Sequence, residues 1–147
     1  ESQIDNEITL SEARKSEMAV LFIDVDDFKH YNDQYSHATG DQVLKFVART
    51  IKGTVNEFGF AGRYGGDEFI ACIRNAEIND PTRAAQDIIS KLEEGFECDG
   101  VHLTVSVSIG ISMIKDDYNT RVEYIIGKAD DAMYSVKKNG KSNYAFI

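Results

Sequence analysis

The chain has 147 residues, 42% hydrophobic and 28% charged, which suits one globular domain with a sizeable core. A formal charge of −9 opposes non-specific binding to nucleic acid, so any polyanionic ligand needs local help from a metal, a few lysines or helix N-termini. No apolar run reaches the roughly 18 to 20 residues that span a bilayer, and Glu1 opens a polar stretch without a leader, so a cytoplasmic segment with no membrane contact is expected.

A single Pro and the absence of low-complexity runs mark no internal linker, and residues 1–147 read as one domain. Cys72 and Cys98 have no CxxC or metal-binding spacing, and no disulfide framework is expected.

Residues 4–17 suit a partly exposed helix. Met18 to Ile23 (MAVLFI) is a short continuous apolar run typical of a central buried strand, and it runs into Asp24, Asp26 and Asp27. Phe28, Tyr31 and Tyr35 recur at helical spacing and leave Lys29 and Asn32 on another face. Thr39-Gly40-Asp41-Gln42 reads as a capping box opening a long helix with Val43, Leu44, Val47, Ile51 and Val55 as its buried stripe. Strands at Phe60–Tyr64 and Phe69–Ile73 are joined through Gly65-Gly66, a pair suited to the positive φ of a tight hairpin.

Asp80-Pro81 supplies an N-cap and first-turn proline for a helix ending at Gly95. Asp99-Gly100 is a hairpin signal, followed by alternation from Val101 to Met113 that predicts one long strand. Thr120 with Glu123 caps a last helix whose Val122, Ile125, Ile126, Ala129, Met133 and Val136 face inward, and residues 143–147 form a closing strand. The order predicts an α+β fold of ferredoxin-like type, a mainly antiparallel sheet with helices packed over it.

Asp24 ends a strand and Asp67 follows a hairpin turn. If the two strands are neighbours, their carboxylates meet at one end of the sheet, an arrangement suited to Mg²⁺. Taken singly, acids after a strand also read as loop or cap residues, and Gly-Gly-Asp as a plain turn.

Three stretches together are more specific. Residues 63–69 read RYGGDEF, residues 24–41 read DVDDFKHYNDQYSHATGD, and residues 129–144 read ADDAMYSVKKNGKSNY. In this order and spacing the chain resembles the GGDEF family of diguanylate cyclases, from Met18 nearly to its end. The resemblance implies condensation of two GTP into cyclic di-GMP and two pyrophosphates, with Mg²⁺ or Mn²⁺, in a homodimer of facing sites.

It further implies that Asp24, the Val25 carbonyl and Asp67 are the metal ligands. Glu68 then coordinates metal or accepts the 3′-hydroxyl proton; strand alternation, if regular, keeps Asp67 and Glu68 from both aiming at the metal. Lys29, the amides near Asp27 and Phe28, and the turn at Gly65 and Gly66 contact the nucleotide. Lys137 and Lys141 match positions on the β and γ phosphates, while Asn32, His37 and Asp41 match nucleotide-contacting positions. A carboxylate at Asp41 can accept from guanine N1–H and the 2-amino group, donors that adenine lacks.

Ser36 departs from the family's usual Gly before His37. Where many members carry a product-binding RxxD, this chain has Asn56-Glu57-Phe58-Gly59, so product inhibition there is not expected. No DxLT appears within residues 1–17, and the segment is taken as part of a longer protein with an upstream sensor. The competing readings are a catalytically silent GTP-binding regulatory module of the same family, and a cyclase making a 3′,5′-cyclic mononucleotide.

Overall fold

The computed structural model describes residues 17–114 and 122–146. In chain order they form β1 (Met18–Val25), α1 (Phe28–Gln34), α2 (His37–Val55), β2 (Gly59–Gly65) and β3 (Glu68–Arg74). Then follow α3 (Pro81–Glu94), β4 (Phe96–Cys98), β5 (Val101–Leu103), β6 (Val107–Ile114), α4 (Val122–Lys138) and β7 (Tyr144–Phe146). The helix expected over residues 4–17 lies, but for Glu17, outside the described residues, as do Thr120 and the side chains of Val122, Ile125 and Ile126.

A five-stranded sheet runs in the order β2-β3-β1-β6-β7, antiparallel except for the parallel β6–β7 pair. β1 is central because its residues are apolar on both faces. Ala19, Leu21, Ile23 and Val25 join the larger core with the α2 stripe Val43, Leu44, Val47, Ile51 and Val55 and with Ala84, Ala85, Ile88 and Leu92 of α3. Met18, Val20 and Phe22 face the other way, packing with Ile70, Cys72 and the α4 residues Ala129 and Met133. Each fully buried aliphatic side chain contributes about 1.5–3 kcal/mol, so α2 and α4 are firmly fixed on opposite faces of β1.

Three local expectations change. Ser36 is the N-cap of α2: its Oγ accepts from the Thr39 N–H at 3.1 Å, and the helix begins at His37 rather than after Thr39. Ser36 thus replaces a glycine with a capping hydroxyl. The run from Val101 to Met113 is not one strand; β5 pairs with β4 in a separate two-stranded sheet, and the chain breaks before β6 enters the main one. Alternation continued through the break because residues on both sides bury the same parity, Leu103 and Val105 included.

Finally, neither Gly65 nor Gly66 has positive φ; Asp99 (50°) and Gly100 (80°) of the small hairpin do. The β2–β3 register instead shifts between Arg63 and Gly65. A Cβ on Gly65 would stand 2.8 Å from Glu68 Oε1, so glycine there makes room for that carboxylate.

Candidate active site

β1 carries an acid outward at the end of an otherwise apolar strand. Asp24 continues the face of Met18, Val20 and Phe22, which α4 covers. Its Cα partner across the antiparallel pair is Glu68, and the Val25 N–H donates to the Asp67 carbonyl at 3.1 Å, holding the turn against β1. The pairing of β1 with β3 brings Asp67, the acid expected beside Asp24, to this end of the sheet, and Glu68 with it. The alternation argument does not separate the two later acids, because Asp67 lies in the turn and only Glu68 belongs to β3.

Burial pushes the Asp24 carboxyl up to about 6; Lys137 opposes the rise, and the charges of Asp67 and Glu68 add to it. Glu68 is likewise raised, first by burial and then by Asp130 and Asp67. Lys137, in the last turn of α4, reaches back with Nζ 3.4 Å from Asp24 Oδ2 and 3.1 Å from Asp26 Oδ1.

Asp26 is the residue that reading the sequence missed. It is 4% exposed. Ser108 Oγ (2.6 Å) and Lys137 Nζ (3.1 Å) donate to Oδ1, and Ser106 Oγ (2.5 Å) and the Ser142 N–H (3.1 Å) donate to Oδ2. Burial raises its pKa, but these hydrogen bonds outweigh burial and hold it below the usual carboxylate value. A carboxylate accepts about four hydrogen bonds, so Asp26 is saturated. The only signal in the sequence was its place in DVDD, since its partners lie 80 or more residues away.

Asp24 is the opposite case: its Oδ1 is buried and has no hydrogen-bond partner. An orphaned carboxylate oxygen is costly unless a cation takes it. At this end of the sheet Asp67 and Glu68 lie close enough for their charges to act on Asp24, and the three carboxylates would offer oxygen donors to Mg²⁺ or Mn²⁺. Among the described residues no three His, Cys, Asp or Glu form a ready metal cage.

Beside these acids lies a cavity of about 370 Å³ lined by Lys29, Asn32, His37, Asp41, Gly66 and Asp67, with Phe28 and Leu44 as apolar wall. Of the sequence-predicted nucleotide positions on α1, α2 and the hairpin, Phe28, Lys29, Asn32, His37, Asp41 and Gly66 thus line one cavity, and Gly65 does not. Gly40 is needed for this: a Cβ there would stand 1.9 Å from Asn32 Oδ1. Arg63 braces the hairpin, its Nε and Nη2 donating to the Gly66 carbonyl at 3.0 and 2.6 Å.

Across α1, Lys29 also lines a wider pocket of about 870 Å³ with Asp26, Asp27, Ser106 and Lys141. Asp27 is the N-cap of α1 in left-handed conformation (φ 51°) and makes no side-chain cap. Its carboxylate instead pairs with Lys141 Nζ at 2.8 Å. Lys137 therefore stands at the acid cluster and Lys141 on the rim.

The family model described as "Diguanylate cyclase, GGDEF domain" matches residues 1–143. The chain belongs to the GGDEF domain family. Diguanylate cyclase A of Treponema denticola is 38% identical over 136 residues, 92% of this chain and 36% of that protein. The bifunctional diguanylate cyclase/cyclic di-GMP phosphodiesterase MucR of Pseudomonas aeruginosa is 38% identical over 88% of this chain and 19% of its own length. The GGDEF chain thus spans about a third or less of these relatives.

Among solved structures, the GGDEF domain of YfiN (TpbB) from Pseudomonas aeruginosa matches with TM-score 0.85 and 31% identity, over 97% of this chain and 89% of that one. The active GGEEF domain of a diguanylate cyclase from Vibrio cholerae matches with TM-score 0.82 and 27% identity, over 94% and 87%. The α+β fold expected from the sequence is the GGDEF fold. No helix among the described residues is long and apolar enough to cross a membrane.

The segment at Asn56–Gly59 of this GGDEF chain carries neither the Arg nor the Asp of RxxD. A Cβ on Gly59 would stand 1.8 Å from the Cys72 carbonyl oxygen, so no aspartate fits there without moving β2 off β3.

Proposed function

We propose that the chain is a diguanylate cyclase domain that condenses two GTP into cyclic di-GMP and two pyrophosphates. The observation that carries this is the unpartnered Asp24 Oδ1, buried beside Lys137, Asp67 and Glu68, next to a cavity with Asn32, His37 and Asp41 in its wall.

Guanine takes that cavity, with Asp41 accepting from N1–H and the 2-amino group, and Asn32 and His37 on the nucleotide. Lys29 lines both the cavity and the wider pocket across α1, and its amine meets the phosphates. Lys137 and Lys141 hold the β and γ phosphates, assisted by the amides at Asp27 and Phe28; Gly65 and Gly66 let the nucleotide approach the hairpin.

Asp24, the Val25 carbonyl and Asp67 would hold Mg²⁺ or Mn²⁺, which supplies charge stabilisation on the phosphoryl oxygens. The 3′-oxygen of one GTP attacks the α-phosphorus of the other, its proton passes to Glu68, and the bond to the β-bridging oxygen breaks to release pyrophosphate. The raised Glu68 carboxyl suits a proton acceptor. A second attack in the reverse sense closes the ring.

One guanine cavity serves one GTP, so turnover needs a second chain facing the first, most simply in a C2 dimer. The full-length protein would place a sensor or regulatory domain upstream, in the cytoplasm. Incubation with GTP and Mg²⁺ across protein concentrations, with products separated by chromatography, tests the reading. Cyclic di-GMP formed with specific activity rising with concentration is expected. GTP binding without product points to a silent module, and a 3′,5′-cyclic mononucleotide refutes the two-substrate reaction.

A further inference from the structure

Asp26 has no part of its own in the proposed chemistry, yet it is the most heavily bonded side chain of the site. Its four partners come from α4 (Lys137), β6 (Ser108), the residues entering β6 (Ser106) and those entering β7 (Ser142). Its own N–H donates to the Ser106 carbonyl at 2.8 Å. With four acceptor positions filled it has no capacity left for a cation.

Only one of these partners is a charged group that reaches the acid cluster. Lys137 stands between Asp24 and Asp26, at 3.4 and 3.1 Å, with the shorter contact to Asp26. The amine's longer contact, to Asp24, would weaken by like-charge repulsion with a cation bound at that carboxylate. The pair with Asp26, whose side chain is only 2% exposed, keeps the amine at the end of the sheet. Without that anchor a lysine in the last turn of a helix swings into water, since its stem is flexible and its head strongly hydrated.

We propose that Asp26 is a positioning residue for the phosphates: it acts through Lys137, retaining the amine at the triphosphate when the metal takes Asp24. This rests on the diguanylate cyclase reading of the site, in which Lys137 meets the phosphates. A purely structural Asp26, knitting the segments before β6 and β7, would affect folding but not discriminate between nucleotides by phosphate number.

The test is calorimetric titration of the chain with Mg²⁺ and either GMP or guanosine 5′-[α,β-methylene]triphosphate, which is inert at the bond the reaction breaks. The affinity ratio of triphosphate to GMP isolates the phosphate end. Asp26→Asn and Lys137→Met are each expected to shrink that ratio about tenfold, the scale of one charge-assisted hydrogen bond, and the double variant to shrink it no further. An unchanged ratio in Asp26→Asn, or losses that multiply in the double variant, overturns the proposal.

Ser106→Ala keeps the reading testable if Asp26→Asn does not fold. It removes a bond to Asp26 but spares Lys137, so the ratio should stay within about twofold; a tenfold fall shows that loop knitting is what matters and refutes the role. A wild-type chain with no preference for the triphosphate would look different from either result, and would overturn the cyclase reading and this inference together.

Discussion

The acid cluster at the end of β1 and the cavity beside α1 are neighbours, yet they hold polar groups on different terms. Around Asp24 the carboxylates are half-buried, the charges of Asp67 and Glu68 raise the Asp24 pKa, and the buried Asp24 Oδ1 has no hydrogen-bond partner. In the cavity, Lys29, His37 and Asp41 stand exposed on helices whose opposite sides are anchored in the core. The cluster stores unfavourable electrostatics that a cation relieves, whereas the cavity is a shaped surface that costs the fold little. Destabilisation of a binding centre and its function are commonly linked in this way.

The largest effect should come from removing the stored charge. Asp24→Asn is expected to lower cyclic di-GMP formation at least about a thousandfold, as loss of a metal ligand does. Asp26 cannot substitute, being saturated, and Asp27 is turned to Lys141. The same variant should melt higher than wild type in metal-free buffer at pH 8, by about 1–3 kcal/mol, because the charge that burial disfavours is gone. Thermal unfolding with a chelator checks this; a less stable variant would mean that the cluster stores no such strain.

The next effect is on pH. The Asp24 carboxyl is raised to about 6 in the metal-free chain, so its charged form is penalised in the fold. Its contribution lowers stability as pH climbs from the ordinary carboxylate range through about 6, and is absent in acid. For the metal the sign is reversed: below about pH 6 the ion must displace a proton, and affinity should fall about tenfold per pH unit. Mn²⁺ titration between pH 5 and 8 reads this, and a flat profile would break the contrast between cluster and cavity.

The smallest effect belongs to the cavity. Asp41→Ala should reduce the preference for GTP over ATP about tenfold while leaving stability within about 0.5 kcal/mol, as expected of an exposed position. Competition binding of the two nucleotides measures it. An unaltered preference would mean that guanine is read elsewhere in the cavity.

Much of this was legible in the sequence because its signals are local. Continuous apolarity made β1 central, 3.6-residue periodicity gave the α2 stripe, and Asp80-Pro81 marked the start of α3 through an N-cap bond to the Thr82 N–H at 2.9 Å. The acids at the end of β1 and beyond the hairpin turn announced the GGDEF family because their spacing matched its pattern.

What the sequence could not show depends on groups far apart in the chain. Alternation could not reveal that the chain leaves one sheet between β5 and β6, since side-chain parity is kept while the hydrogen-bond partner changes. The choice of Ser36 over Thr39 as cap turned on where the chain bends after α1. Above all, Asp24 and Asp26 have the same side chain two positions apart, and only the arrival of Lys137, Ser106, Ser108 and Ser142 made one saturated and left the other open. A carboxylate's state is set by the donors and charges that surround it, and here the tertiary fold delivers them from 80 or more residues away.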